Sequence, residues 1–203
     1  MNKLLISAMA LVVLAFSTAA MALPTTNFDF AAYADVNGES AYAPTFDWTK
    51  DGITVTASGS YLGNDVFAYL DASSGGPGGL GVCRAVDGTQ CAPNSDDNVT
   101  SGETLHVALS GTSTINWIEF RNADHGTAYS PLALVDISVD GGAFASYTLE
   151  NIFNTSLSGT HFDFRFNNGE FYIKSMNVPE PGPLALLGLG LIGLYVAGRK
   201  KAA

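Results

Sequence analysis

The sequence predicts an all-β protein: an antiparallel β-sandwich, jelly-roll or immunoglobulin-like, with an N-terminal signal peptide before it and a C-terminal transmembrane helix after it. Three observations carry that prediction. Apolar and polar residues alternate with a period of two through most of residues 23–178, which sends one set to a core and the other to water. Clusters of Gly, Asn, Asp and Ser interrupt the alternation at intervals of about ten residues. No segment between the two ends carries an apolar stripe of helical spacing and useful length. A closed β-barrel is the alternative architecture.

In chain order, residues 1–22 read as a secretory signal peptide. Lys3 supplies the positive start, residues 4–16 the apolar segment and Ala20-Met21-Ala22 the small-x-small cleavage site, so the mature chain is expected to begin at Leu23. Residues 23–178 form one domain with enough chain for a proper core. Strands are expected at residues 27–33, 53–58, 66–70, 105–109, 115–121, 134–139, 144–149, 162–166 and 171–174. Ile53, Val55 and Ala57 share one face of their segment, as do Leu105, Val107 and Leu109, and Phe162, Phe164 and Phe166. Asp140-Gly141-Gly142 is expected to close a hairpin between residues 134–139 and 144–149. Asn167-Asn168-Gly169 is expected to close another between 162–166 and 171–174.

The domain carries eighteen acidic side chains against five basic ones, Lys50, Arg84, Arg121, Arg165 and Lys174, a formal charge of −13. Such a surface repels phosphate backbones, which argues against nucleic acid as a partner. It suits an exported protein that must stay soluble, the default reading, or one that collects divalent cations. Cys83 and Cys91, an even pair in an exported chain, are expected to form a disulfide. Closing so short a loop stabilises the fold by about 2.5 kcal/mol in the chain-entropy picture.

Residues 73–83, Ser-Ser-Gly-Gly-Pro-Gly-Gly-Leu-Gly-Val-Cys, read as a glycine-rich loop. No Gly-Lys-Ser/Thr follows, so it is not a phosphate cradle. After Cys91 come Asp96, Asp97, Asn98 and Glu103, hard oxygen donors of the type Ca²⁺ takes. Their spacing is not that of an EF-hand, so a calcium site there needs completion from elsewhere, with Asp35 and Asp71 as candidates. The competing reading is that these residues make Asx turns ahead of the next strand.

Catalytic signatures are lacking. His106, His125 and His161 are isolated in sequence, with no H-E-x-x-H and no G-x-S-x-G. His161 and Asp163 share a strand face and are expected to be a surface pair. Trp48, Tyr61, Tyr69, Trp117 and Tyr129 are candidates for stacking on sugar rings if exposed, and core residues otherwise.

The tail is the most specific part of the sequence. Val178-Pro179-Glu180-Pro181-Gly182-Pro183 is a rigid spacer, residues 184–197 are uncharged and apolar, and Arg199, Lys200 and Lys201 form a basic stop. A spacer, a membrane-seeking helix and cations that stay on the cytoplasmic side are what a membrane-held sorting signal requires. Pro179-Glu180-Pro181, the Leu/Gly-rich segment and the basic end resemble the PEP-CTERM sorting signal of Gram-negative surface proteins, here residues 179–203. The resemblance implies recognition by an exosortase, a membrane-embedded cysteine protease that cuts at or near the tripeptide. The basic end, one arginine and two lysines, is less arginine-rich than is common in that family. The Gly-Leu-Gly-Val stretch with Asp-Asp-Asn and Gly-Glu also resembles a pattern recurring in exported domains with this signal, a pattern that implies no activity.

The sequence is thus expected to encode a non-enzymatic exported surface or matrix protein with no required cofactor beyond a possible Ca²⁺. Its expected partners are an exosortase, the inner membrane as a transient anchor with the C-terminus cytoplasmic, and exopolysaccharide. The alternatives are a carbohydrate-binding module or an extracellular polysaccharide hydrolase.

Overall fold

The computed structural model describes residues 25–72, 76–93 and 95–179. The expected signal peptide, Glu180, Pro181, the apolar run and Arg199 to Lys201 lie outside those residues. Among the described residues no helix is long and apolar enough to cross a membrane.

The chain is all-β with one short helix. Its elements are β1 (Thr25–Asp29), α1 (Phe30–Asn37), β2 (Ser40–Tyr42), β3 (Phe46–Lys50), β4 (Ile53–Tyr61), β5 (Asn64–Asp71), β6 (Gly79–Cys83), β7 (Val86–Asp87), β8 (Gln90–Cys91), β9 (Glu103–Ile115), β10 (Trp117–Arg121), β11 (Leu134–Val139), β12 (Ala145–Thr148), β13 (Ile152–Phe153), β14 (Leu157–Phe166) and β15 (Tyr172–Pro179). Among the described residues every strand pairing is antiparallel: the main sheet runs along the path β12-β11-β14-β9-β4-β5-β6-β15-β10-β13, with β1 beside β15, β2 beside β5 and β3 beside β4, and β7 and β8 form a separate pair.

β5 is the hinge of this path. Its first residues pair with β4 (Gly59↔Val66, Ser60↔Asp65), and Phe67 to Asp71 pair with β6 instead. The path therefore folds into two leaves. Phe120 of β10 meets Phe164 of β14 edge-on with ring centroids 6.4 Å apart, although many strands separate them along the path. Gly59 lies where the crossing is tightest, since a Cβ there would stand 2.6 Å from the Phe67 carbonyl oxygen. The inward sets of the alternating strands, including Val55, Ala57, Leu105, Val107, Phe162 and Phe164, form one core.

The alternating segments are strands as expected, and residues 134–139 and 144–149 form their hairpin, with Leu134 opposite Thr148. Asp140 and Gly141 take the positive φ angles, 50° and 71°, that this turn needs. Three expectations are corrected. Residues 27–33 are not one strand: β1 stops at Asp29, whose carboxylate accepts the Ala32 amide at 2.9 Å and starts α1. The helix forms because an N-cap precedes Phe-Ala-Ala-Tyr-Ala and Gly38 ends it at φ +88°. Residues 162–166 and 171–174 are not a hairpin, because β14 pairs with β9 and β11 while β15 pairs with β10, β1 and β6. Asn168 instead ties this crossing to β11, accepting the Leu134 amide at 2.6 Å and donating to the Leu132 carbonyl at 3.1 Å.

The third correction concerns the glycine-rich stretch, whose second half is β6, buried at all five residues. Its glycines are there for close approach. A Cβ on Gly81 would lie 2.1 Å from the Asp97 carbonyl oxygen, and one on Gly79 would lie 2.5 Å from that of Ile173. β6 thereby lets the acidic segment after β8 settle directly upon it.

Candidate functional site

An acidic cleft of about 470 Å³ opens where β5, the segment after β8, the turn after β10 and the start of β15 converge. Among the described residues lining it, five of ten are Asp or Glu and none is Lys or Arg. Asp71 ends β5 and is 1 % exposed. Its carboxylate accepts the Gly78 amide at 3.0 Å and lies 2.8 Å from His125 Nε2. Gly78 must be glycine here, since a Cβ would lie 2.6 Å from Asp71 Oδ2.

Asp97 and Asn98 are brought in by the short bridge Val99↔Phe171, which ties their segment to the start of β15. The Tyr172 hydroxyl donates to Asp97 Oδ1 at 2.5 Å. Glu39, just beyond α1, accepts from the Tyr69 hydroxyl. Oxygens of Glu39, Asp71 and Asp97 come within 4.8 Å of one another. His125 sits at φ +61° in a turn held by Asn122, whose Oδ1 accepts the Asp124 and Gly126 amides at 3.0 and 2.7 Å. A non-glycine residue in that region costs of order 1 kcal/mol, and the Asn122 bonds offset it.

The electrostatics follow from burial. Burial pushes the Asp97 carboxyl up to about 6, the Tyr172 hydrogen bond opposes the shift and the Asp71 charge adds to it. The Tyr172 hydroxyl is raised by burial and then by the anionic Asp97 beside it, and burial with the Glu39 bond does the same to Tyr69. Both phenols are therefore donors toward the carboxylates at any ordinary pH.

The sequence-derived oxygen donors divide between two places. Asp97 and Asn98 line the cleft and meet Asp71 there. Asp96 and Glu103 do not: Asp96 takes a two-pronged ion pair from Arg84, and Glu103 Oε1 lies 3.4 Å from Arg84 Nε. Arg84 in turn lies over the Tyr61 ring, 4.9 Å from its centroid. Burial pushes Glu103 up to about 8, opposed by the Thr100 amide it accepts and by Arg84. Asp35 is exposed on α1 and outside the cluster. Cys83 and Cys91 are disulfide-bonded and bury the staple against Tyr69.

Among the aromatic candidates Tyr69 is fully buried, Trp48 and Tyr129 pack on the core, and Tyr61 and Trp117 are half-buried. Asp163 pairs with His106 rather than His161: His106 Nδ1 lies 2.7 Å from Asp163 Oδ1 and its Nε2 lies 2.8 Å from Ser60 Oγ. Ser60, His106 and Asp163 thus form a hydrogen-bonded row across β4, β9 and β14. Ser60 stands between ladder partners Asp65 and Thr104 on an open strand face, so the neighbouring amides are committed to the sheet rather than aimed at a reacting oxygen.

Glu39, His125, Glu170 and Tyr172 were not singled out by sequence reasoning. They come from three separate parts of the chain, and only pairing of β15 with β10 and packing of β5 beside β6 bring them together. The turn residues around Asn122 and Gly126 offered the one local signal, a loop able to present His125.

The residues that follow the domain match, over positions 177–201, the family model described as the PEP-CTERM protein-sorting motif. Comparison of the whole chain with curated proteins finds no match. The three parts of the tail read from the sequence fall within that match, from the end of β15 to the basic stop. The chain carries a PEP-CTERM protein-sorting motif at its C-terminal end, and that motif indicates exosortase-dependent sorting of an exported protein that is anchored transiently before processing.

Proposed function

We propose that this chain is a non-enzymatic component of the cell exterior whose β domain, a sandwich of the jelly-roll or immunoglobulin-like kind, associates with exopolysaccharide after an exosortase has freed it from the inner membrane. The observation that carries the reading is the sorting motif at residues 177–201, which begins within the last residues of β15. The acidic cleft supports the second half of it. Carboxylates and a carboxamide accept hydrogen bonds from hydroxyl-rich partners, and the buried or core-packed state of Trp48, Tyr69 and Tyr129 favours such polar contact over ring stacking. A −13 domain meets a neutral polysaccharide directly and an acidic one through shared cations.

The experiment is fractionation of cells that make both exosortase and exopolysaccharide. The processed chain is expected in the polysaccharide fraction and free in the medium when polysaccharide synthesis is blocked. Equal amounts free in the medium under both conditions would contradict the association.

A hydrolase is the second reading, favoured by the raised Asp97 beside a second carboxylate, as a general acid on a glycosidic bond requires. Against it, Asp71 is 1 % exposed and already engaged by Gly78 and His125. Release of reducing ends from purified exopolysaccharide, abolished by Asp97→Asn, would establish the hydrolase instead.

A further inference from the structure

We infer that Glu39, Asp71, Asp97 and Asn98 form a binding site for a hard divalent cation, Ca²⁺ being the ion whose chemistry fits. Cation binding here is independent of any polysaccharide association. Two ligands at about 2.4 Å from a calcium ion stand at most about 4.8 Å apart, and the oxygens of Glu39, Asp71 and Asp97 meet that bound. The donor set is oxygen throughout, which suits Ca²⁺ and not a thiolate- or imidazole-seeking metal.

Proximity of acids alone would be weak support, and Asn98 supplies an independent one. It lines the same cleft and is 3 % exposed. Its Nδ2 donates to Glu170 Oε2 at 3.3 Å, while Oδ1, buried, accepts no hydrogen bond from any described residue. A buried acceptor without a donor costs about 1 to 3 kcal/mol. In a cleft whose described lining holds five acids and no Lys or Arg, a cation is the partner that satisfies it.

Each carboxylate is also held by a hydrogen-bond donor, as metal ligands usually are: Tyr69 on Glu39, Gly78 on Asp71 and Tyr172 on Asp97. His125, 2.8 Å from Asp71 Oδ2, acts in the same supporting way. The ligands come from the loop after α1, the end of β5 and the segment resting on β6, so a bound ion would tie three otherwise separate pieces of chain together. A cleft of about 470 Å³ leaves room for waters or a hydroxyl-bearing ligand to complete the six to eight oxygens.

The test is titration of the exported chain, stripped with a chelator, with Ca²⁺ alone. Isothermal calorimetry and thermal melting are expected to report one saturable site in the range of about 10⁻⁴ to 10⁻³ M or tighter, with the melting temperature rising as Ca²⁺ is added. Tb³⁺, excited through the nearby tyrosines, is expected to luminesce and to be displaced by Ca²⁺. Glu39→Gln retains an acceptor for Tyr69 and should fold; together with Asp97→Asn it is expected to weaken Ca²⁺ roughly tenfold or more. Asp124→Asn, in the same cleft but outside the cluster, is expected to leave affinity within about twofold. No calcium-dependent shift in the stripped chain would overturn the site. So would equal losses in Glu39→Gln and Asp124→Asn, which would mean diffuse attraction to an acidic surface.

Discussion

Glu103 shows how one buried side chain sets a pH dependence. It is fully buried, accepts the Thr100 amide at 2.8 Å, and faces Arg84 with Asp96 and Glu170 as neighbouring charges. Its carboxyl, ordinarily near 4.5, is pushed up to about 8, chiefly by burial. Between those values the folded chain binds a proton that the unfolded chain has released, so stability is greatest below about 4.5 and falls as pH rises towards 8. The loss from this group is at most about 1.4 kcal/mol per pH unit. Glu103→Gln is expected to flatten the decline in urea midpoint between about pH 5 and pH 8; a variant with the wild-type slope would contradict the assignment. Gly81 is the second informative residue. With 2.1 Å between a would-be Cβ and the Asp97 carbonyl, Gly81→Ala is expected to cost about 1 to 3 kcal/mol in chemical denaturation. Gly111→Ala, with nothing near it, should cost nothing of the kind.

At the scale of elements, the strands with strict alternation were legible and the departures have physical causes. β4, β9 and β14 each bury one face only, so the period of two was visible in Ile53-Val55-Ala57, Leu105-Val107-Leu109 and Phe162-Phe164-Phe166. β6 was not, because it is buried on both faces and its glycines mimic a loop. α1 was hidden by its length, although Asp29 before and Gly38 after it are the expected end signals. Asn167-Asn168-Gly169 misled because a hairpin-type turn here spans two leaves. Asp29→Ala is expected to cost about 1 kcal/mol by removing the α1 N-cap, measured by thermal melting; an unchanged midpoint would mean the packing of Phe30 and Ala34 alone holds the helix. Reducing Cys83 and Cys91 is expected to cost about 2.5 kcal/mol, read as a lowered urea midpoint under reductant.

For the molecule as a whole, what the sequence said most clearly concerned its destination, and what it said least clearly concerned the cleft. Asp71, Asp97 and Asn98 could be proposed from residue chemistry, but Glu39, His125 and Tyr172 join them only through long-range pairing. The sorting signal, by contrast, is contiguous in sequence and needs no fold to be read. The fold adds how closely it is attached. Pro179, the first residue of the tripeptide, lies within β15 opposite Thr25 of β1, and only four residues, 180–183, separate it from the apolar run at Leu184. Fully extended, those four span at most about 14 Å, so an apolar run seated in a membrane would hold the domain close to its surface. Replacing Pro179-Glu180-Pro181 by alanines is expected to leave full-length chain in the membrane fraction, and unchanged release would show that the tripeptide does not direct processing. The most direct test is intact mass spectrometry of the protein recovered from membrane and extracellular fractions of cells carrying an exosortase. A species beginning near Leu23 and ending close to Pro181, found outside the membrane, is the expected product; a chain retaining residues 184–203 and confined to the membrane would contradict exosortase sorting.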